Sequence, residues 1–243
     1  MSEAVSADMP DEPRSLADPA RLDRRRALLP QPHMRPLLAL VESIRAKHGM
    51  SPDPDPLDGG VDARLLLLLE TPGPGSGRTG FVSRDNPNGT AANLFRFLAA
   101  AKIAREDTLI WNAVPWVIHA PGATNRAPRT AEATAGRRWL ASLLVLLPRL
   151  TVIVLAGRVA GTARGELAVL LPRVPSLGMP HPSPTYVCTS PTVAVRISSA
   201  LDQAGATLAA HAPTIGDPLK PAADSVRAGD AHRSSAPFPR RSA

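Results

Sequence analysis

With one cysteine, Cys188, in 243 residues, the chain cannot hold an internal disulfide framework, a four-cysteine zinc site or a cysteine-ligated iron–sulfur cluster. Its six histidines (His33, His48, His119, His181, His211 and His232) are scattered, with no HExxH and no pair at helical spacing, so neither a metal nor another cofactor is expected. Long apolar runs are missing as well. Stretches such as Leu65–Leu69 fall far short of the roughly 18 residues a membrane-spanning helix needs. The N-terminal residues are acidic and polar, unlike a signal peptide, and the expectation is a cytoplasmic protein without membrane contact. Aromatic residues make up only 3% of the chain.

What is present points to a globular domain with polar ends, at 44% hydrophobic and 20% charged residues. The net charge is +7, and its distribution is informative. Residues 61–205 carry 15 basic and 8 acidic side chains, whereas residues 1–60 carry 8 and 10. Of the 28 basic residues 25 are Arg, whose fork grips phosphate oxygens in bidentate fashion. A polyanionic partner and a plain compositional bias both account for that excess.

Composition shifts divide the chain. Residues 1–30 mix Ser, Asp, Pro and Arg without a sustained apolar period and are expected to form a flexible N-terminal tail. In 31–60, Leu37, Val41 and Ile44 recur at helical spacing, predicting a short amphipathic helix that ends near Gly49, followed by a Pro/Asp/Gly linker. Residues 61–205 form the main domain, and 206–243, poor in large apolar side chains, are expected to be a disordered C-terminal tail.

Within the main domain strands alternate with helices. Leu65–Leu69 reads as a buried parallel strand, and Thr90 caps a helix that uses Leu94, Phe97, Leu98 and Ala101. Thr108–Asn112 is a second strand, and Thr130 caps a longer helix with Leu140, Leu143, Leu144 and Leu147 on one stripe. Thr151–Ala156 is a third strand, Val159–Leu171 is helix-like, Val174–Leu177 is a short fourth strand, and Val193, Ile197 and Leu201 mark a last helix. Right-handed crossovers then give a three-layer α/β/α fold around a mostly parallel sheet of about four strands.

Three loops with hydrogen-bonding side chains follow strand carboxyl ends, where such folds place their chemistry. They are Glu70-Thr71-Pro72-Gly73-Pro74-Gly75, Trp111-Asn112-Ala113-Val114-Pro115-Trp116 and Met179-Pro180-His181-Pro182-Ser183-Pro184. Other motif readings fail on context. Gly73–Gly77 resembles a phosphate-cradling loop but lacks Gly-Lys-Ser/Thr, and no helix is expected directly behind it. Gly157-Arg158-Val159-Ala160-Gly161 reads as a helix–sheet packing device or a phosphate approach, and no GxSxG elbow accompanies the histidines.

From about Asp62 to Ala204 the chain resembles the uracil-DNA glycosylase superfamily. The ordered elements are strand-ETPGP, a Phe shortly after it, a strand ending in Asn, Gly-x-x-Asn-Arg-x-Pro at Gly122–Pro128, and HPSP. The resemblance implies a monomeric DNA repair enzyme that flips uracil, or another deaminated base, out of DNA and hydrolyses its N-glycosidic bond. It implies that Phe81 stacks on the extruded base, that Asn112 reads its edge, and that His181 donates to uracil O2 as the base leaves. Glu70 and Thr71 would serve the attacking water, while Pro72, Gly73 and Ser183 would contact DNA.

The chain departs from the family pattern in three places. Many members carry Asp or Asn where Thr71 stands, and Thr71 cannot neutralise a cationic sugar. Some relatives hold an iron–sulfur cluster that this chain cannot build. Where others present a Leu wedge after HPSP, Thr185 and Tyr186 follow, and Tyr186 either stacks on DNA or packs in the core. Two alternatives stay open: a catalytically silent relative binding damaged or single-stranded DNA, and a protein acting on free nucleosides or nucleotides.

Overall fold

The structure, a computed structural model, describes residues 12–120 and 122–211. The expected N-terminal tail is ordered where it is described. Asp18 caps helix α1 (Pro19–Ala27) by accepting from the Ala20 N–H at 2.8 Å, with Pro19 at the first helical position. Residues 1–11 and 212–243 lie outside the described residues, and with them the rest of both expected tails. Helix α2 (Arg35–His48) buries Leu37, Leu40, Val41 and Ile44 on one face and ends at Gly49, as its spacing predicts. The expected linker then runs through a two-residue strand, β1 (Asp53–Pro54), and buries Ser51, Asp55 and Asp58.

Strand β2 (Leu65–Leu69) is followed by the short helix α3 (Pro74–Thr79) and strand β3 (Phe81–Val82), which pairs parallel with β1. The Gly73–Gly77 stretch, expected as a loop with no helix directly behind it, is itself helical from Pro74 onward, because Pro74 supplies a preset helical φ. Helix α4 (Gly89–Ala100) is capped by Asn88, whose side chain accepts from the Ala91 N–H at 2.9 Å, rather than by Thr90. Strand β4 (Thr108–Asn112) lies as predicted. The longer helix expected after Thr130 is two, α5 (Thr130–Arg137) and α6 (Leu140–Val145). Gly136 packs its bare Cα against the Ala113 carbonyl, and the chain re-aims so that Leu140, Leu143 and Leu144 reach the core.

Strand β5 (Val152–Ala156) leads into α7 (Gly157–Gly161) and α8 (Arg164–Leu170), again two helices where one was expected. Strand β6 (Ser176–Met179) lies two residues beyond its predicted start, and α9 (Pro184–Val187) and α10 (Pro191–Ala210) complete the described chain. Residues 206–210, assigned to the C-terminal tail, belong to α10, where Leu208 is buried.

The four-stranded sheet is parallel throughout, in the order β4-β2-β5-β6. The Leu run of β2 is buried on both faces, as a central parallel strand demands. Leu66 and Leu68 face a core shared with α2, α6 and α8, while Leu65 and Leu67 face one shared with α4 and α10. Helix α4 leaves β2 toward the second face, and α7 and α8 leave β5 toward the first. The neighbouring strands β2 and β5 therefore send their chains to opposite sides, which opens a crevice at their carboxyl ends.

A buried ionic cluster holds the N-terminal segment to the domain. Arg25 of α1 pairs with Asp55 and, at 2.8 Å, with Asp85, while Arg105 reaches Asp55 at 2.8 Å, Asp85 at 2.9 Å and Asp58 at 3.2 Å. Burial opposes ionisation of Asp55, but Arg105 and Arg25 outweigh it and hold its pKa below the usual value. Asp58 differs: burial pushes it up to about 7 against Arg84 and Arg105, and neither of its oxygens accepts a hydrogen bond from the described residues. In the folded protein Asp58 thus keeps a proton that the unfolded chain releases near pH 4. Its contribution to stability is present below that value and is lost as pH rises through about 7. Asp58→Asn is expected to flatten the decline in stability between about pH 5 and about pH 8, read by urea unfolding at both values. An unchanged slope would assign the titration to another group.

Candidate active site

A cleft of about 470 Å³ opens at the carboxyl ends of β2, β4 and β6. Leu69, Val82, Leu94 and Ile110 give it apolar wall, and Glu70, Thr71, Asn112, His181, Ser183 and Tyr186 line it from three loops. The sheet register explains the convergence, because Leu69 stands opposite Asn112 and Ala156 opposite Met179.

Glu70 continues the ladder of β2. The Leu69 and Glu70 carbonyls accept from the Ala113 and Val114 N–H groups at 2.8 and 3.0 Å. Its Oε1 accepts from the Val159 N–H at 3.1 Å, and Oε2 has no hydrogen-bond partner among the described residues. Gly157 makes this approach possible. It sits at φ +90°, and a Cβ there would lie 2.6 Å from Glu70 Oε1 and 3.1 Å from His181 Cβ. The Gly157–Gly161 motif thus serves neither alternative alone: its glycine admits the carboxylate and imidazole side by side, and the turn behind it supplies a donor. Gly157→Ala combines a left-handed backbone with a clash, so a loss of about 1–3 kcal/mol in stability is expected in urea unfolding. Full stability would show that the turn relaxes.

His181 is half-buried within the HPSP turn, which Asn93 of α4 holds by donating to the Pro182 carbonyl at 3.0 Å. The Ser183 N–H donates to His181 Nδ1 at 3.2 Å, so a neutral ring carries its proton on Nε2. Burial lowers the His181 pKa, and the nearby Glu70 carboxylate only partly opposes it. The site therefore presents a neutral imidazole with an Nε2–H donor at neutral pH.

Asn112 ends β4 at 3% exposure, and its side-chain amide, on the cleft wall, has no hydrogen-bond partner among the described residues. The amide is open to the cleft, where a ligand presenting one acceptor and one donor can pair with both of its ends. Thr71 accepts from the Asn125 side-chain Nδ2 at 3.0 Å. Tyr186 is 56% exposed on the rim, its ring centroid 6.5 Å from that of His181, so it is not a core residue. Gly73 and Ser183 also line the cleft.

Two expected site residues stand apart. Phe81 is 1% exposed on β3 and does not line the cleft, so the ring face that base stacking requires is covered. Pro72 is buried and likewise off the wall. Sequence reasoning missed Asn86 and Asn88, which do line it. Asn86 is spent internally, accepting from Thr79 Oγ1 at 2.6 Å and donating to the Phe81 carbonyl at 2.8 Å. The Asn88-Gly89 pair ahead of an apolar helical period was the available signal for a cap at the cleft edge.

The family model described as the uracil DNA glycosylase superfamily matches residues 56–199. Among solved structures, wild-type SMUG2 of Pedobacter heparinus is similar at 14% identity with a TM-score of 0.46, covering 74% of this chain and 86% of that one. No curated protein matches.

Proposed function

Because the chain belongs to the uracil-DNA glycosylase superfamily, we propose that it removes uracil from DNA by hydrolysing the N-glycosidic bond, leaving an abasic site. The observation that carries this reading is the pairing, in one cleft, of the unpartnered Asn112 amide with the His181 Nε2–H donor. An extruded uracil offers O4 and N3–H to the amide and O2 to the imidazole. As the bond breaks, negative charge gathers on the base, and a donor already aimed at O2 stabilises that charge more than it stabilises the ground state. Glu70 Oε2 and the Thr71 hydroxyl supply acceptors for the attacking water, and the carboxylate offsets positive charge on the sugar. One chain provides every one of these groups, so the reading requires only a monomer. Tyr186 and Ser183 stand at the rim, where DNA flanking the flipped nucleotide would pass.

Labelled single- and double-stranded oligonucleotides containing uracil, incubated with the protein and then treated with alkali, test the reading. Strand breakage at the uracil position is expected, and intact strands from both substrates overturn it. Salt-dependent DNA affinity without abasic sites would point to a silent DNA-binding relative, for which Thr71 in place of a carboxylate is the supporting observation.

A further inference from the structure

We propose that Asn125 is a positioning residue for the hydrolytic step, holding the Thr71 hydroxyl in the orientation that receives the attacking water. The inference rests on the glycosylase reading and addresses its weakest point, the absence of a carboxylate at position 71.

Asn125 reaches the first loop across 54 residues of sequence, and both ends of its amide are committed. Nδ2 donates to Thr71 Oγ1 at 3.0 Å, and Oδ1 accepts from the Arg126 N–H at 3.0 Å. The amide also lies 4.0 Å from where a Cβ on Gly73 would stand, close over the loop that carries Glu70 and Thr71. Asn125, Thr71, Gly73 and Glu70 all line the cleft. The next residue is clamped: the Arg126 guanidinium forks onto Glu132 at 2.8 and 2.6 Å, and Glu132 also accepts from the Arg129 N–H at 2.7 Å. The Arg126 fork, joined by that N–H, holds the Glu132 carboxyl down to about 2, so the clamp persists across the neutral range. Arg126 is thereby engaged in bracing the loop.

The chemistry follows from which lone pairs remain. A threonine hydroxyl has two acceptor lone pairs and one proton. Donation from Asn125 occupies one lone pair and leaves the other to accept from water in the cleft that Glu70 also lines. A water held by two acceptors turns its own oxygen lone pair toward the sugar. In the step itself the water oxygen bonds to C1′ while the C1′–N1 bond breaks, its electron pair leaving on the base. One water proton passes to the Glu70 carboxylate and then to solvent, and the uracil anion takes a proton from solvent after release. Without Asn125 the Thr71 rotor is free, and the water loses one of its two fixed contacts.

Single-turnover cleavage of a uracil-containing oligonucleotide, with DNA affinity measured in parallel, tests this on wild type, Asn125→Ala, Thr71→Val, Thr71→Ser and the Asn125→Ala/Thr71→Val double variant. The expected result is a rate about 10-fold lower for Asn125→Ala at affinity within about twofold of wild type. Thr71→Ser should keep most of the rate, and the double variant should be no slower than Thr71→Val alone, because Asn125 acts through that hydroxyl. A wild-type rate in Asn125→Ala, rate losses that multiply in the double variant, or an affinity loss matching the rate loss each overturn the proposal and leave the glycosylase reading standing. A wild-type protein that cleaves nothing overturns both.

Discussion

His181→Ala is expected to slow single-turnover cleavage of uracil-containing DNA about 100- to 1,000-fold, the range found when one preorganised donor to a developing anion is removed. DNA affinity should change by less than about threefold, because the imidazole contributes most when charge has reached the base. The structure justifies the asymmetry. The ring is set by the Ser183 N–H on Nδ1 and by the HPSP turn that Asn93 holds, so its Nε2–H points without reorganisation. The remaining activity would come from Asn112 and Glu70, which the substitution leaves in place. Alkali-revealed strand breakage, followed with enzyme in excess over DNA, reads the rate, and anisotropy of the labelled DNA reads affinity. Equal losses in both would assign His181 to binding.

Arg25→Ala is expected to cost about 3–5 kcal/mol in urea unfolding, since it strips a buried guanidinium from two buried carboxylates. Arg25 is 7% exposed, Asp55 1% and Asp85 0%, so water cannot take over the lost contacts. Arg105 would then serve Asp55, Asp58 and Asp85 with only Arg84 to help it. Arg25→Lys keeps the charge without the fork and should recover part of the loss. A change below about 1 kcal/mol for Arg25→Ala would mean that α1 is an ornament on the domain rather than part of it.

These two residues illustrate what the sequence discloses. The convergence of His181, Asn112, Glu70 and Thr71 on one cleft is legible because parallel strands deliver their trailing loops to one edge, and a five-leucine run between turn signals is hard to misread as anything but a central strand. Arg25 was not legible: its partners lie 30 and 60 residues away, and α1 lacks the apolar stripe by which a helix is found. Residues 1–30 therefore looked like a tail although their described part is pinned. Strand β6 was misplaced by two residues because its Ser176 and Gly178 carry little strand preference and pairing with β5 decides its span. The stacking role expected of Phe81 comes from the family resemblance, and the structure buries the ring instead. Its burial is decided by the two-residue pairing with β1, which no local pattern announces. Asn125 lies in the Gly122–Pro128 stretch, and its bond to Thr71, 54 residues away, appears only in three dimensions.

Asp85 neighbours Asn86 on the cleft wall, and its carbonyl accepts from the Leu16 N–H at 3.1 Å. Cutting the chain at residue 56 would discard Leu16, Arg25 and Asp55 together, leaving Asp85, next to the cleft-lining Asn86, without three of the residues it is tied to directly or through Arg25. The packed unit around the cleft therefore reaches back to α1, upstream of residue 56.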